Sequence, residues 1–437
     1  MRAAAFALLL TAGTTAAAWD LDLDIEAEAR HAWALEDPYT AGSLAGRLQL
    51  FQRWNRRQRL VAELFAREDS EDPSRSHSDV REFYYHHIER EIELRVGARR
   101  VFWGVTESRH LVDIVNQSDF VEDITAEAKL GQPMINPVFI TGFGTVDLLL
   151  LPYARARTFP GENGLPRLPF PVAPGEARYE SAKGQRRMDF AARWFTSIGG
   201  ADIGLSWFSG TAREPDLLAC LRRGSGFDGT EDGPNCDPLS AVPDPGPIPD
   251  QVVDLLQGLG LAPSNEEVER QILEAIVLVP RYELIDQLGL DAQYVIDALA
   301  LKLEASLRRQ DGRWNRAAVA GFEYTIGDIF RSGADLGLLA EYLYDERGAL
   351  LSSRTDDDWF AGFRIGLNDI AGTQLLAGAI VEADGGNRFI SVEGSRRIGN
   401  AMRLELEARV FSDLPADDPL AFLADQDYLR LKLTRYF

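Results

Sequence analysis

The sequence predicts an all-β chain, folded as a transmembrane, antiparallel up-and-down β-barrel of about eighteen strands (sixteen as the lower count) with a small helical loop insertion. Three observations predict it. Segments of about ten residues with strict period-two alternation recur from residue 19 to residue 437, and a strand sends alternate side chains to opposite faces. Trp and Tyr recur near the ends of these segments (Trp19, Trp33, Trp54, Trp103, Tyr342, Tyr344, Trp359), as the two interfaces of a bilayer require. The first eighteen residues read as an export signal, and no later stretch approaches the ~18 consecutive apolar residues of a helical span.

In residues 1–18, Arg2 precedes an apolar run over 3–10, and Ala16 and Ala18 make an A-x-A cleavage site. A membrane anchor is the rival, but the run falls well short of the ~20 residues a spanning helix needs. The barrel domain is expected over 19–437. Residues 19–33 place Leu21, Leu23, Ile25, Ala27 and Ala29 on one face and Asp20, Asp22, Asp24, Glu26, Glu28 and Arg30 on the other. Strands follow over 43–54, 59–68, 80–87 and 92–103. After an irregular stretch, 104–133, come strands over 136–141 and 146–155, then a Pro/Gly-rich loop, 157–184. A hairpin pairs 187–196 with 202–210 through Gly199 and Gly200.

Residues 211–280 break the rhythm. They hold Cys220 and Cys236, a stiff Pro-rich run at 243–249, and two helical patterns, 250–259 and 265–279. The second opens on a capping box, Ser264 with Glu267. This reads as an inserted extracellular loop with a helical cap. Strands resume over 281–296, 299–309, 314–326, 334–344, 359–367, 374–382, 388–397, 402–411 and 428–437. Short turns at one end and mostly longer, acidic loops at the other fit a membrane barrel, and an even strand count returns both termini to the periplasmic side.

A soluble sandwich also alternates, but with its apolar face buried. In a membrane barrel Met402, Leu404, Leu406, Ala408 and Val410 face lipid while Arg403, Glu405, Glu407 and Arg409 face the lumen. Closure leaves no edge, so every backbone group is paired without water. Pairing of the first and last strands would bring Asp22, Asp24 and Glu26 near Arg430 and Lys432. The alternative is that both sets are simply wetted lumen charges.

The final strand alternates Leu429, Leu431 and Leu433 with Arg430, Lys432 and Thr434 and ends on Phe437. It resembles the terminal strand of bacterial outer-membrane β-barrels, which their assembly machinery reads. Arg435 departs from that signature, which usually has an apolar or aromatic residue there. Residues 95–103 (RVGARRVFW), followed by Gly104, resemble a V-G…W-G segment of Gram-negative porin-like barrels, a group of largely uncharacterised proteins and, more loosely, alginate-export porins. The resemblance implies a chain exported through the periplasm into the outer membrane, amid lipid and lipopolysaccharide, acting as a channel for passive diffusion of small polar solutes. It implies no particular solute and has no counterpart for residues 211–280.

If the stretch after the fifth strand folds into the lumen, Glu107, Arg109, His110, Asp113, Asn116 and Asp119 narrow it, with Glu93, Arg95 and Arg99 facing them. Otherwise it packs as an outside loop. The rest of the lumen lining would include Arg403, Glu405, Glu407, Arg409, Arg430 and Lys432. Opposed acids and bases across a constriction set a transverse field that orients polar solutes. Lumen acids and bases roughly balance, so strong selectivity for one sign is not indicated. In an oxidising compartment Cys220 and Cys236 pair or stay as two thiols.

His86 and His87 are adjacent on a strand and face opposite sides. Ser108, His110 and Asp113 within one loop are too ordinary to mark a triad. No metal-ligand spacing, phosphate loop or nucleophile elbow occurs, so neither catalytic residues nor a metal or cofactor is expected. The net charge of −22 argues against a nucleic-acid partner. Its excess falls in loops, where divalent ions bridge to lipopolysaccharide or the acids are simply solvated. Two functions compete with the channel: a barrel enzyme with its site at the rim, and a surface adhesion or binding protein whose inserted cap does the work. Nothing in the pattern distinguishes a monomer from a trimer.

Overall fold

In a computed structural model the described residues are 19–35, 38–222, 236, 274–347, 357–383, 388–412, 414 and 420–437. The expected export signal and the helical pattern over 250–259 lie outside them. From the N-terminus the strands are β1 (Trp19–Ala32), β2 (Tyr39–Arg53), β3 (Gln58–Asp69), β4 (His77–Glu89), β5 (Ile92–Arg99), β6 (Gln132–Thr141) and β7 (Gly144–Leu151). A short β8 (Arg178–Tyr179) precedes β9 (Asp189–Ile198), β10 (Ala201–Thr211), β11 (Asp216–Leu221), β12 (Ile276–Tyr282), β13 (Leu284–Ile296) and β14 (Leu299–Gln310). The remainder are β15 (Arg313–Ile326), β16 (Asp335–Asp345), β17 (Asp357–Gly366), β18 (Gln374–Glu382), β19 (Arg388–Ile398), β20 (Met402–Ser412) and β21 (Tyr428–Tyr436).

Among the described residues all of these except β8, β11 and β12 form one eighteen-stranded antiparallel sheet, each strand beside its neighbour in the chain. β1 also pairs with β21, and the sheet closes. The chain is therefore an all-β barrel without an edge, which is how a spanning sheet satisfies its backbone in lipid. Its sidedness is that of a membrane protein. Outward Leu205, Leu301 and Leu431 are 49%, 43% and 44% exposed, whereas inward Asp189, Glu304 and Glu341 are 0%, 0% and 2% exposed. The charges are buried and the leucines are bare, the reverse of a soluble sandwich.

The closing register differs from expectation. Glu26 faces Thr434, Glu28 faces Lys432 and Arg30 faces Arg430. Asp22 lies beyond the end of this pairing, and Asp24 faces Tyr436. The lumen cations of β21 take acids from β20 instead: Lys432 meets Glu405 at 3.1 Å and Arg430 meets Glu407. Alternation fixes which face a residue occupies, but any even slip preserves that face, so the pairing partner stayed open.

Hairpin turns at the end carrying the termini are mostly short. At the other end, Asp311 (φ 47°) and Gly312 (φ 73°) make a two-residue turn, while the remaining connections there are longer. Above that rim stands a small second sheet. β11 pairs antiparallel with β12, and β12 runs parallel to β8. Cys220 and Cys236 are joined and pack on Val277 and Val279. The helical pattern over 265–279 therefore stops short: Glu274 and Ala275 are helical, and Ile276–Tyr282 is strand. A short apolar run such as IVLV suits strand or helix by periodicity, and the sheet partners decide it. The expected strand over 281–296 is likewise divided at Glu283 between β12, above the rim, and β13, in the wall.

Candidate functional site

The wall itself creates the site. β5 has 8 residues against 13 in β4, and β6 begins opposite the end of β5, with Gln132 beside Arg99. The chain leaves the wall at residue 100 and returns at 131. Gly104 is where it turns inward. Its φ is +148°, and a Cβ there would lie 2.8 Å from His110 Nδ1 and 2.9 Å from Glu304 Oε1.

Residues 105–112 reach strands standing across the lumen. Glu304 on β14 accepts hydrogen bonds from the N–H groups of Val105 (2.8 Å) and Thr106 (3.1 Å), and from the Thr106 hydroxyl (2.7 Å). Glu341 on β16 accepts from the N–H groups of Glu107 and Ser108, both at 2.8 Å. Glu107 meets Arg364 of β17 at 2.8 Å, and Arg109 meets Asp345 at 3.0 Å. Leu111 packs against Val319, Leu339, Leu343 and Phe360. Two burial problems cancel here: buried wall carboxylates need donors, and a loop crossing the lumen needs acceptors for its N–H groups.

The chain then returns. Asn116 braces the neck of the loop, accepting from Val101 N–H and donating to the carbonyls of Arg99 and Leu130. Asp113 holds Lys129 at 3.1 Å. Asp119 accepts from Arg81 and from the Thr158 hydroxyl (2.6 Å) and sits 3.4 Å from His77. Burial would raise this carboxyl, but His77, Arg81 and Thr158 outweigh it and hold it down at about 2. Burial pulls His110 down, while the hydrogen bond and charge of Glu304 more than reverse this and leave the imidazole above its ordinary value. At the tip, Glu122 meets Arg67 of β3 at 2.9 Å, and its carbonyl accepts from Arg430 of β21 at 3.4 Å.

Of the residues singled out in the loop, His110, Glu107 and Arg109 are brought to strands across the lumen, Asp113 and Asn116 brace the loop while bordering a cavity beside it, and Asp119 is spent on bracing. Glu93, Arg95 and Arg99 do not face the loop with their side chains. Glu93 bonds Arg95 and His86, and Arg99 bonds Asn136, all within the β4–β6 wall. Arg403, Glu405, Glu407, Arg409, Arg430 and Lys432 do line the lumen, cross-paired along β19–β21.

The space left beside the loop is a chain of cavities. One of about 240 Å³ and one of about 380 Å³ share Glu127 and Lys129 as wall. A third, of about 170 Å³, shares Leu376 and Glu393 with the first and Arg430 and Lys432 with the second. Glu127 was not singled out by sequence, being one acid among several in a loop. It is exposed to the lumen, yet the surrounding wall, with Asp123 and Glu393 adding their charges, pushes its carboxyl up to about 7. A second connection, between β7 and β9, crosses the rim: Arg30 donates to the Leu165 carbonyl (2.8 Å) and Gln426 accepts from Arg167 N–H (2.6 Å).

The fold and this interior together define a transmembrane β-barrel whose lumen is crossed by one loop. No protein-family model matches the chain, and no curated protein sequence does. Among solved structures, it is similar to OccK8 (OprE) of Pseudomonas aeruginosa at 13% identity, over 96% of this chain and 98% of that one, with a TM-score of 0.48. It is also similar to OmpT lacking loop L8, an outer membrane protein of Vibrio cholerae (8%, 96% and 99%, TM-score 0.45), and to a mutant porin of Rh. blastica (10%, 96% and 100%, TM-score 0.40). At these identities and scores nothing about their activity transfers to this chain.

Proposed function

We propose that the chain is an outer-membrane channel for passive diffusion of small polar solutes, with the loop over residues 100–131 as its constriction. The observation that carries this reading is the string of cavities running past Glu127 and Lys129, between a loop pinned at both sides of the barrel and the charged wall of β18–β21. A barrel filled only for stability gains nothing from leaving paired charges wetted along one side. On this reading residues 1–18 direct export, Phe437 and its strand engage the assembly machinery, and lipid and lipopolysaccharide surround the outer face. The chain then acts without catalysis.

Reconstitution in planar bilayers tests it. Stepwise conductance from the purified, heat-modifiable barrel is the expected result. A correctly folded barrel that never conducts would refute the channel.

A further inference from the structure

The cavity of about 240 Å³ has two unlike sides. One carries the guanidinium groups of Arg109, Arg157, Arg213, Arg308 and Arg347. The carboxylates among them are shared out. Glu214 takes Arg308 (3.2 Å) and Arg347 (2.7 Å), and Asp345 takes Arg347 and Arg109. Arg213 must share Asp189 with Arg187, and its buried Nη2 has no hydrogen-bond partner among the described residues. Arg157 is 4% exposed, and its Nε donates to Gln117 at 3.4 Å. Among the described residues no carboxylate stands within ion-pair distance of it. A buried cation that feels Glu214 only at longer range and has no direct ion-pair partner is costly, and an incoming anion relieves that cost.

The other side is apolar. Phe360, Leu376, Ile380 and Phe389 point inward from β17–β19 into a lumen lined elsewhere by charges. Of the acids that also reach this cavity, Glu107 is paired with Arg364, Asp113 with Lys129 and Glu393 with Arg409, and Glu127 stands where this cavity meets its neighbour. The volume lies below the roughly 300–1,000 Å³ of drug-sized sites, which limits the occupant to one ring or a short chain.

We propose that this cavity binds a small amphipathic carboxylate, its anionic group on Arg157 and Arg213 and its ring or chain along Phe360, Leu376 and Phe389. As the solute class of the pore this rests on the channel reading; as a binding site it does not. The bidentate geometry of guanidinium and carboxylate supplies orientation, and the apolar side selects against fully hydrophilic anions.

Titration calorimetry on the full-length barrel in detergent tests it with three probes: benzoate, its neutral isostere benzamide, and acetate. Benzoate is expected to bind saturably, with benzamide and acetate each about tenfold weaker or worse. Arg157→Gln should weaken benzoate about tenfold, with Arg157→Lys restoring part of the loss, and Phe389→Ala should weaken benzoate while leaving acetate unchanged. Equal binding of the three probes by the unmodified barrel would overturn the site, without relying on any variant's folding. So would full benzoate affinity in a folded R157Q/R213Q barrel. Bilayer recordings on the same preparation separate the two claims. A conducting barrel indifferent to benzoate refutes the site alone, and benzoate binding to a silent barrel refutes the channel alone.

Discussion

At the scale of single residues, the interior works through carboxylates whose surroundings differ sharply. Glu127 stands in the gap with its carboxyl near 7, so it is neutral below that pH and negative above it. Preference for K⁺ over Cl⁻ should therefore rise as pH is taken from about a unit below to about a unit above this value. Glu127→Gln should remove the change and hold the pore at its acid-side selectivity. Reversal potentials under a KCl gradient read both outcomes, and an unchanged pH response in the variant would discard the assignment. Asp119 is the opposite case. Its carboxyl is held below the ordinary 3.8, so its clamp is at full strength above that value and is lost as pH falls towards 2. Asp119→Asn deprives buried Arg81 of its nearest carboxylate and should loosen the loop by about 2 kcal/mol. Faster amide exchange over residues 116–130, with the wall strands unchanged, is the expected signature.

At the scale of elements, the inward loop is set into a wall whose backbone ladder is complete without it. Replacing residues 105–128 with a short Gly/Ser linker should raise conductance severalfold while strand content stays constant, because the ladder of the barrel is complete without them. A fall in conductance would show instead that the loop holds the lumen open. This loop shows how unevenly the site was legible. Its charge and its position after the fifth strand mark it for attention, and Glu107, Arg109 and His110 do reach the far wall. Asp113, Asn116 and Asp119 are polar residues of the same stretch, yet they brace the loop. Composition cannot separate a carboxylate that meets water from one that meets Arg81, because the difference lies in partners brought from distant strands.

At the scale of the whole molecule, the inside-out distribution of side chains carries the membrane assignment. Leu431, mid-way along β21, faces lipid, and Leu431→Arg should cost roughly 2–4 kcal/mol of folding free energy in liposomes. Lys432→Gln, one residue on and facing the lumen, should cost about 1 kcal/mol or less, since the partner Glu405 stays within reach of Arg403. Urea titration in lipid vesicles compares the two. Equal costs would contradict the orientation of the strand.

Period-two alternation and turn residues were enough by themselves to point to a barrel of about eighteen strands with leucines outward, because a strand's two faces are written in consecutive residues. Only the tertiary structure decided how β1 meets β21, that Ile276–Tyr282 joins a small sheet above the rim, and which loop acids line the passage. Those features depend on contacts between residues far apart in the chain. Several registers and several partners satisfy the same local pattern, and packing and charge pairing choose among them.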